Sequence, residues 1–249
     1  MRGGAEDGSS TNCILEIDDA SNDGSYTNLA ISGQLTMWNQ NGAAGATGNT
    51  LSVLNGYADV GILAATASAD EFINILNGRL DVGYFSNARV TVNMLDGGTG
   101  QFNLADMYVT GTVQANLDQM ILNFESGSEA SFTILASNVT GNAQGAWETK
   151  VAAGQVQIDG VAVTDLSQFV IEDVDVTGTR ISLDIDPPTP NPAGFARLPT
   201  AISSSELWMT ATVGSDASGV VEYLFTETSG NPGGASSGFG QCHIYTCIH

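Results

Sequence analysis

The chain has 249 residues and a formal net charge of −21, from 27 acidic and 6 basic side chains. That balance excludes nucleic acid and anionic membrane surfaces as partners, because phosphate binding rests on clustered Lys and Arg. With 42% hydrophobic residues the chain can build a packed core, and no apolar run approaches the ~20 residues of a membrane span, so no membrane insertion is expected.

Residues 1–12 read as a disordered lead-in without an apolar signal region, and the start is taken as a fragment boundary. The acidic surface, with Lys150 as its only lysine, stays soluble and suits a secreted or cell-surface protein. From residue 13 to 185 short β-type runs alternate with Gly, Asn, Asp and Ser turns, and helical periodicity is almost absent. Within this stretch the chain repeats itself. Leu51-Ser-Val-Leu-Asn-Gly-Tyr-Ala-Asp-Val-Gly-Ile62 returns as Ile73-Asn-Ile-Leu-Asn-Gly-Arg-Leu-Asp-Val-Gly-Tyr84, and more loosely as Val92-Asn-Met-Leu-Asp-Gly97. A fixed-period repeat of this size predicts a stack of small units, each covering its neighbour's core. Glycines at 33, 56, 78, 97, 127, 154 and 178 are read as corners that a Cβ would crowd.

The expectation for 13–185 is an all-β right-handed parallel β-helix, with handedness from the crossover rule. Its core is assigned to Leu35, Met37, Val60, Ile73, Ile75, Leu80, Val82, Met94, Phe102, Leu104, Phe124, Phe132, Val156, Ile158, Ile181 and Leu183. A β-sandwich is the alternative. Four prolines in Pro187-Pro-Thr-Pro-Asn-Pro192 predict a stiff linker over 186–192. Beyond it, 193–249 reads as a partial β-sandwich, with strands at Glu206–Val213 and Val220–Glu227. Too few strands follow to close it, so an apolar edge at Val220–Phe225 is expected to pack on the end of the repeats or to drive self-association.

These residues carry a resemblance. The Asn-Gly-x-x-Asp-Val-Gly units resemble secreted bacterial β-helix repeat proteins of the autotransporter-passenger and PEP-CTERM-associated type. Residues 187–233, with Thr-Ala-Thr-Val-Gly-Ser-Asp-Ala-Ser-Gly and Glu-Thr-Ser-Gly-Asn-Pro-Gly-Gly, look like fibronectin-III-like modules of large bacterial surface proteins. The resemblance implies a polysaccharide-directed setting. No catalytic motif of these families lies within the matched positions, so no catalytic residue is carried over.

Aligning the two best units places Asp59 and Asp81 outward, ~4.8 Å apart along the stack, with Thr36 and Asn103 on the same row. A neighbouring row holds Gln34, Tyr57, Arg79 and Gln101. Three readings compete. In a retaining glycosidase Asp59 and Asp81 would be acid and nucleophile, since such enzymes set their carboxyl groups ~5–5.5 Å apart. In a lyase the carboxylates would hold Ca²⁺ against a uronate, with Arg79 abstracting or neutralising. In the third reading they are solvated side chains, with Arg79 relieving the repulsion that otherwise raises one carboxyl pKa. Asn74, Asn93 and Asn123 are read as a structural amide ladder. Trp38 and Trp147 are read either as sugar platforms or as corner fillers.

Cys242, His243, Cys247 and His249 do not have a standard zinc spacing, and no metal site is assigned. Both histidines lie in this tail, which leaves the repeats without a Ser-His-Asp triad. The functional expectation is an extracellular polysaccharide-directed module that binds or adheres to glycan through Tyr57, Arg79, Asn103 and Trp38. A glycoside hydrolase or polysaccharide lyase using Asp59 and Asp81 is the alternative, and a pure spacer the third possibility.

Overall fold

A computed structural model of the chain describes residues 14–18, 28–37, 48–65, 71–86, 90–107, 120–135, 143–174, 178–204, 206–219, 221–228, 230, 236–240 and 244–248. They divide into two compact units, Met1–Ile185 and Asp186–His249.

The first unit lays alternate strands into two sheets. Strands β1 (Ile14–Ile17), β3 (Thr50–Val53), β5 (Glu71–Ile75), β7 (Val90–Met94), β9 (Met120–Phe124), β11 (Val156–Ile158) and β12 (Val161–Ala162) form sheet one, in that order. Sheet two runs β13 (Phe169–Val174), β14 (Gly178–Leu183), β10 (Ser131–Ile134), β8 (Gln101–Met107), β6 (Arg79–Ser86), β4 (Tyr57–Ala65) and β2 (Asn28–Met37). Strands β5, β7 and β9 each alternate buried and half-buried positions, as a strand with one face on a core must. Val53, Ile75, Met94 and Phe124 of sheet one share one apolar cluster with Val60, Val82, Leu104 and Phe132 of sheet two. Inside it Phe102 meets Phe132 edge to face at 5.1 Å. Of the expected core, Leu35 and Ile158 are only partly buried, and the rest are buried.

The architecture is all-β, but it is not the expected parallel β-helix. The two seven-stranded sheets are mixed rather than wholly parallel. The pairs β1/β3 through β9/β11 and β2/β4 through β8/β10 are parallel, whereas β11/β12, β10/β14 and β13/β14 are antiparallel. The described residues do not form a closed solenoid. The physical reason lies in what a repeat specifies. Identical short units favour parallel pairing of like with like, in register, and that pairing is present. A repeat does not specify how the chain returns between sheets. The returns at 38–47, 66–70, 87–89 and 108–119 lie outside the described residues.

Two glycine ranks let the backbones nest. A Cβ on Gly100 would come within 2.6 Å of Gly78 O, and one on Gly83 within 2.7 Å of Gly61 O. The first rank turns the chain from sheet one into sheet two. The second lies inside β4 and β6, directly after the Asp-Val pairs, which explains the repeated Asp-Val-Gly.

Helix α1 (Ala143–Ala152) interrupts the run of strands, in a region where helical periodicity is almost absent. It buries Trp147 and Val151, one turn apart on one face. Trp147 is therefore a core residue: it packs edge to face on Phe132, and its Nε1 donates to Thr179 Oγ1 at 3.1 Å.

In the second unit β15 (Phe195–Ser203), β16 (Glu206–Ala211) and β17 (Ile244–Ile248) make an antiparallel sheet. Residues 221–228, expected as a strand, join no ladder beyond a bridge from Tyr223 to Gly240. Serine hydroxyls take the amides a neighbouring strand would take: Phe225 N donates to Ser237 Oγ and Glu227 N to Ser236 Oγ. The proline-rich stretch is tied into this unit, with Thr189 and Ser215 exchanging both backbone hydrogen bonds at 2.8 and 2.9 Å. No helix among the described residues is long and apolar enough to cross a membrane.

Candidate functional site

The outer face of sheet two brings five of the six candidate residues together. Tyr57 pairs with Arg79 and Arg79 with Gln101, while Asp59 pairs with Asp81 and Asp81 with Asn103. Because side chains alternate along a strand, Tyr57 and Asp59 share a face, as do Arg79 and Asp81. Trp38 lies outside the described residues, as do Cys242, His243 and His249. Among the described residues no group of three or more His, Cys, Asp or Glu side chains could hold a metal ion.

The row continues differently from the alignment. Ala30, not Thr36, pairs with Asp59, and Asn28, not Gln34, pairs with Tyr57. The cause is Gly33. It was aligned with the corner glycines Gly56 and Gly78, but a Cβ on Gly61 would meet Ser32 O at 2.8 Å and Gly33 O at 3.0 Å. Gly33 thus belongs to the mid-strand rank, and β2 passes it with a register irregularity between Ile31 and Gln34.

In the other direction the row runs further than the repeat. Asn103 pairs with Thr133, Thr133 with Arg180, and Arg180 with Glu172. Arg180 Nε donates to Thr133 Oγ1 at 3.4 Å and its guanidinium reaches Glu172 Oε2 at 3.3 Å. Sequence reasoning missed these three residues because β14 joins antiparallel, outside the repeat. The alternation of Arg180-Ile-Ser-Leu183 marks a strand without naming its partner.

Asp81 is the centre of the cluster. Its Oδ1 accepts from Arg79 Nε at 2.8 Å and from Asn103 Nδ2 at 2.8 Å. Its Oδ2 accepts from the Tyr57 hydroxyl at 2.9 Å and lies 2.8 Å from Arg79 Nη2. The Arg79 guanidinium also stands 5.7 Å from the centre of the Tyr57 ring. Burial works against the Asp81 charge, but the hydrogen bonds from Arg79, Asn103 and Tyr57 outweigh it and hold the carboxyl below its ordinary value. Donating to Asp81 raises the Tyr57 phenol above its ordinary value, with burial and the charges of Asp81 and Asp59 adding to it. The same partner, through its hydrogen bond, raises Arg79.

These shifts bear on the chemistry. A nucleophilic carboxylate must be ionised and have an oxygen free to attack; Asp81 is held ionised, but both its oxygens are taken by Arg79, Asn103 and Tyr57. A guanidinium held more firmly protonated cannot abstract a proton. With both Asp81 oxygens engaged, the cluster is a rigid, charge-fixed surface. The exposed carboxylate of Asp59 and the exposed side of Arg79 are its outward-facing groups.

The outer face of sheet one carries the amide ladder. Asn123 Nδ2 donates to Asn93 Oδ1 at 3.0 Å, Asn93 Nδ2 to Asn74 Oδ1 at 2.9 Å, and Asn74 Nδ2 to Ser52 Oγ at 3.3 Å. Gly160 N supplies Asn123 Oδ1 at 2.8 Å, so each amide in the row is answered by its neighbour.

No family model matches this chain, and neither a curated protein nor a solved structure matches it. The comparisons thus identify neither a repeat family nor a fibronectin-III-like module.

Proposed function

We propose that this chain is an extracellular glycan-binding module of a larger bacterial surface protein, and that the outer face of sheet two is its binding surface. One observation carries the reading: Tyr57, Arg79, Asp81 and Asn103 are locked by mutual hydrogen bonds on adjacent strands, so they meet a ligand without rearranging. Preorganised polar groups lose little entropy on binding, and hydroxyl-rich ligands are held by such fixed donors and acceptors beside an aromatic ring. Strands ~4.8 Å apart repeat at about the length of one sugar ring in a polymer. An extended glycan laid across the strands therefore meets a similar rank of groups at each ring.

The test is a pull-down and calorimetric panel of insoluble and soluble polysaccharides, run beside reducing-sugar and unsaturated-uronate assays. Binding without turnover, weakened by Arg79→Ala and Asn103→Ala, is the expected result. Turnover abolished by Asp81→Asn would replace this reading with an enzyme. Neither binding nor turnover would make the module a spacer. The edge of β15, where Phe195, Leu198 and Ile202 are exposed, is where self-association of the chain would begin. Sedimentation of the wild type against Leu198→Lys reads that directly, with a shift to monomer expected in the variant.

A further inference from the structure

We infer that the second unit takes up an extended peptide of alternating apolar and basic residues, laid as an added strand along the edge of segment 221–228. This surface belongs to the second unit alone and does not depend on the glycan reading. The unit carries an open cleft of about 620 Å³, within the size range of ligand sites. Pro190, Pro192, Phe195 and the buried Met209 and Ala211 line it, and so does every residue from Val221 to Thr228. Side chains alternate along a strand, so a cleft that touches all eight follows the edge of the segment rather than one of its faces. At ~3.3 Å per residue that edge is roughly 26 Å long, which matches an extended chain better than a compact small molecule.

The backbone of this segment has one side taken. Tyr223 exchanges both backbone hydrogen bonds with Gly240, at 2.7 and 3.1 Å. Phe225 N donates to Ser237 Oγ at 2.8 Å, Ser237 N returns a bond to Phe225 O at 2.8 Å, and Glu227 N donates to Ser236 Oγ at 2.9 Å. Backbone groups alternate in direction along a strand, so those of Glu222, Leu224 and Thr226 point to the opposite edge, where 224–228 join no bridge. Such an edge is a template for a further strand. Leu224 and Phe239, both exposed, line the same cleft and offer apolar contact to alternate side chains of the incoming peptide.

Charge complementarity sets the sign of that peptide. Glu222 and Glu227 line the cleft. Arg197 is the only lysine or arginine in residues 186–249, and its guanidinium lies 3.7 Å from the centre of the Trp208 ring. Trp208 alternates with Met209 along β16, so that cation sits on the far face of the sheet. A basic side chain is thus attracted to the cleft, whereas a second copy of this chain, at −21, is repelled.

The test uses the full chain and short fluorescent peptides of equal length, read by anisotropy at moderate salt. One alternates valine and lysine, one has the same composition in scrambled order, and one alternates valine and glutamate. The alternating basic peptide is expected to bind about tenfold more tightly than the scrambled one, and the acidic one more weakly than either. Leu224→Pro removes an amide from the open edge, leaves the bonds to 236–240 in place, and should weaken binding about tenfold. Phe239→Ser, at an exposed position, should weaken it as well without disturbing the fold. Glu222→Gln should weaken it up to about fivefold. Equal binding of the alternating and scrambled peptides would overturn the inference, by showing diffuse charge attraction. Binding unchanged in both Leu224→Pro and Phe239→Ser would overturn it, by placing the peptide elsewhere. Tighter binding of the acidic peptide would overturn the assigned charge. Binding of no peptide would overturn the inference outright, and uptake of an apolar dye would then make the cleft a small-molecule pocket.

Discussion

The two outer faces of the first unit are built from alternate strands of the same repeat, paired in register within each sheet, and solve the same problem in opposite ways. On sheet one Asn74, Asn93 and Asn123 pass hydrogen bonds from strand to strand, and the row is neutral and closed on itself. On sheet two the corresponding row is charged. Its hydrogen bonds converge on Asp81 and leave Asp59 and one side of Arg79 facing outward. An amide has both donor and acceptor, so identical residues satisfy one another when stacked. A carboxylate only accepts, so stacked aspartates require other residue types beside them. Neutral ladders therefore close on themselves, and charged rows leave groups facing outward.

The core beneath both faces sets the upper limit of any effect. Phe102 is fully buried and packs on Phe132. Phe102→Ala should cost ~3–5 kcal/mol, read as a lower denaturant midpoint, and should disturb both faces together. If either face keeps its properties while the other is lost, the two sheets do not share one cooperative core.

Asn93→Ala separates the faces. It removes the amide that donates to Asn74 and accepts from Asn123, and should cost ~1–3 kcal/mol in urea unfolding. Glycan binding should be unchanged. Reduced binding at equal stability would show that sheet one, not sheet two, contacts the ligand.

Acid titration sharpens the contrast, because one carboxyl of each sheet shifts in the opposite direction. Asp81 is held below its ordinary value. Its stabilisation is present above the ordinary carboxylate range and is lost as pH falls through the folded value. Glu71, at the start of β5, is fully buried. Burial raises its carboxyl, against hydrogen bonds from Asn49 N at 2.5 Å and the Asn49 side chain. Its contribution is complete below the ordinary range and is lost as pH rises through the folded value. Thermal melts across the acid range should therefore show a shallower low-pH fall in Asp81→Asn and a shallower fall toward higher pH in Glu71→Gln. Unchanged profiles in both variants would disprove the assignment.

The smallest effect is that of Arg79→Met. The ion pair with Asp81 is half exposed on the arginine side, so its loss should cost only ~0.2–1 kcal/mol and the difference should shrink in salt. Glycan affinity should fall far more than stability. A variant that loses stability and affinity in proportion would make Arg79 a structural residue alone.

Much of this was readable from residues alone. The repeated Leu-Asn-Gly and Asp-Val-Gly units placed Asp59 beside Asp81, Tyr57 beside Arg79, and the three asparagines in one row. Equivalent residues of a repeat stack because identical side chains satisfy identical pleats. The alternation also named most of the core, since inward positions of a half-buried strand must be apolar. Where the repeat weakened, the reading slipped. Gly33 was matched to the wrong glycine rank, and that moved Thr36 and Gln34 onto rows held instead by Ala30 and Asn28.

What only the tertiary structure decided was everything that depends on chains meeting far apart in sequence. The two mixed sheets in place of a β-helix, the antiparallel entry of β14 that carries Arg180 to Thr133, and the pairing of β17 with β16 leave no periodic mark. The same holds for charge. Asp59 and Asp81 occupy equivalent sites in the repeat, yet only Asp81 has Asn103 on one neighbouring strand and Tyr57 on the other. A repeat sets which residues are neighbours by symmetry, whereas hydrogen-bond partners and pKa values depend on the places where that symmetry is broken.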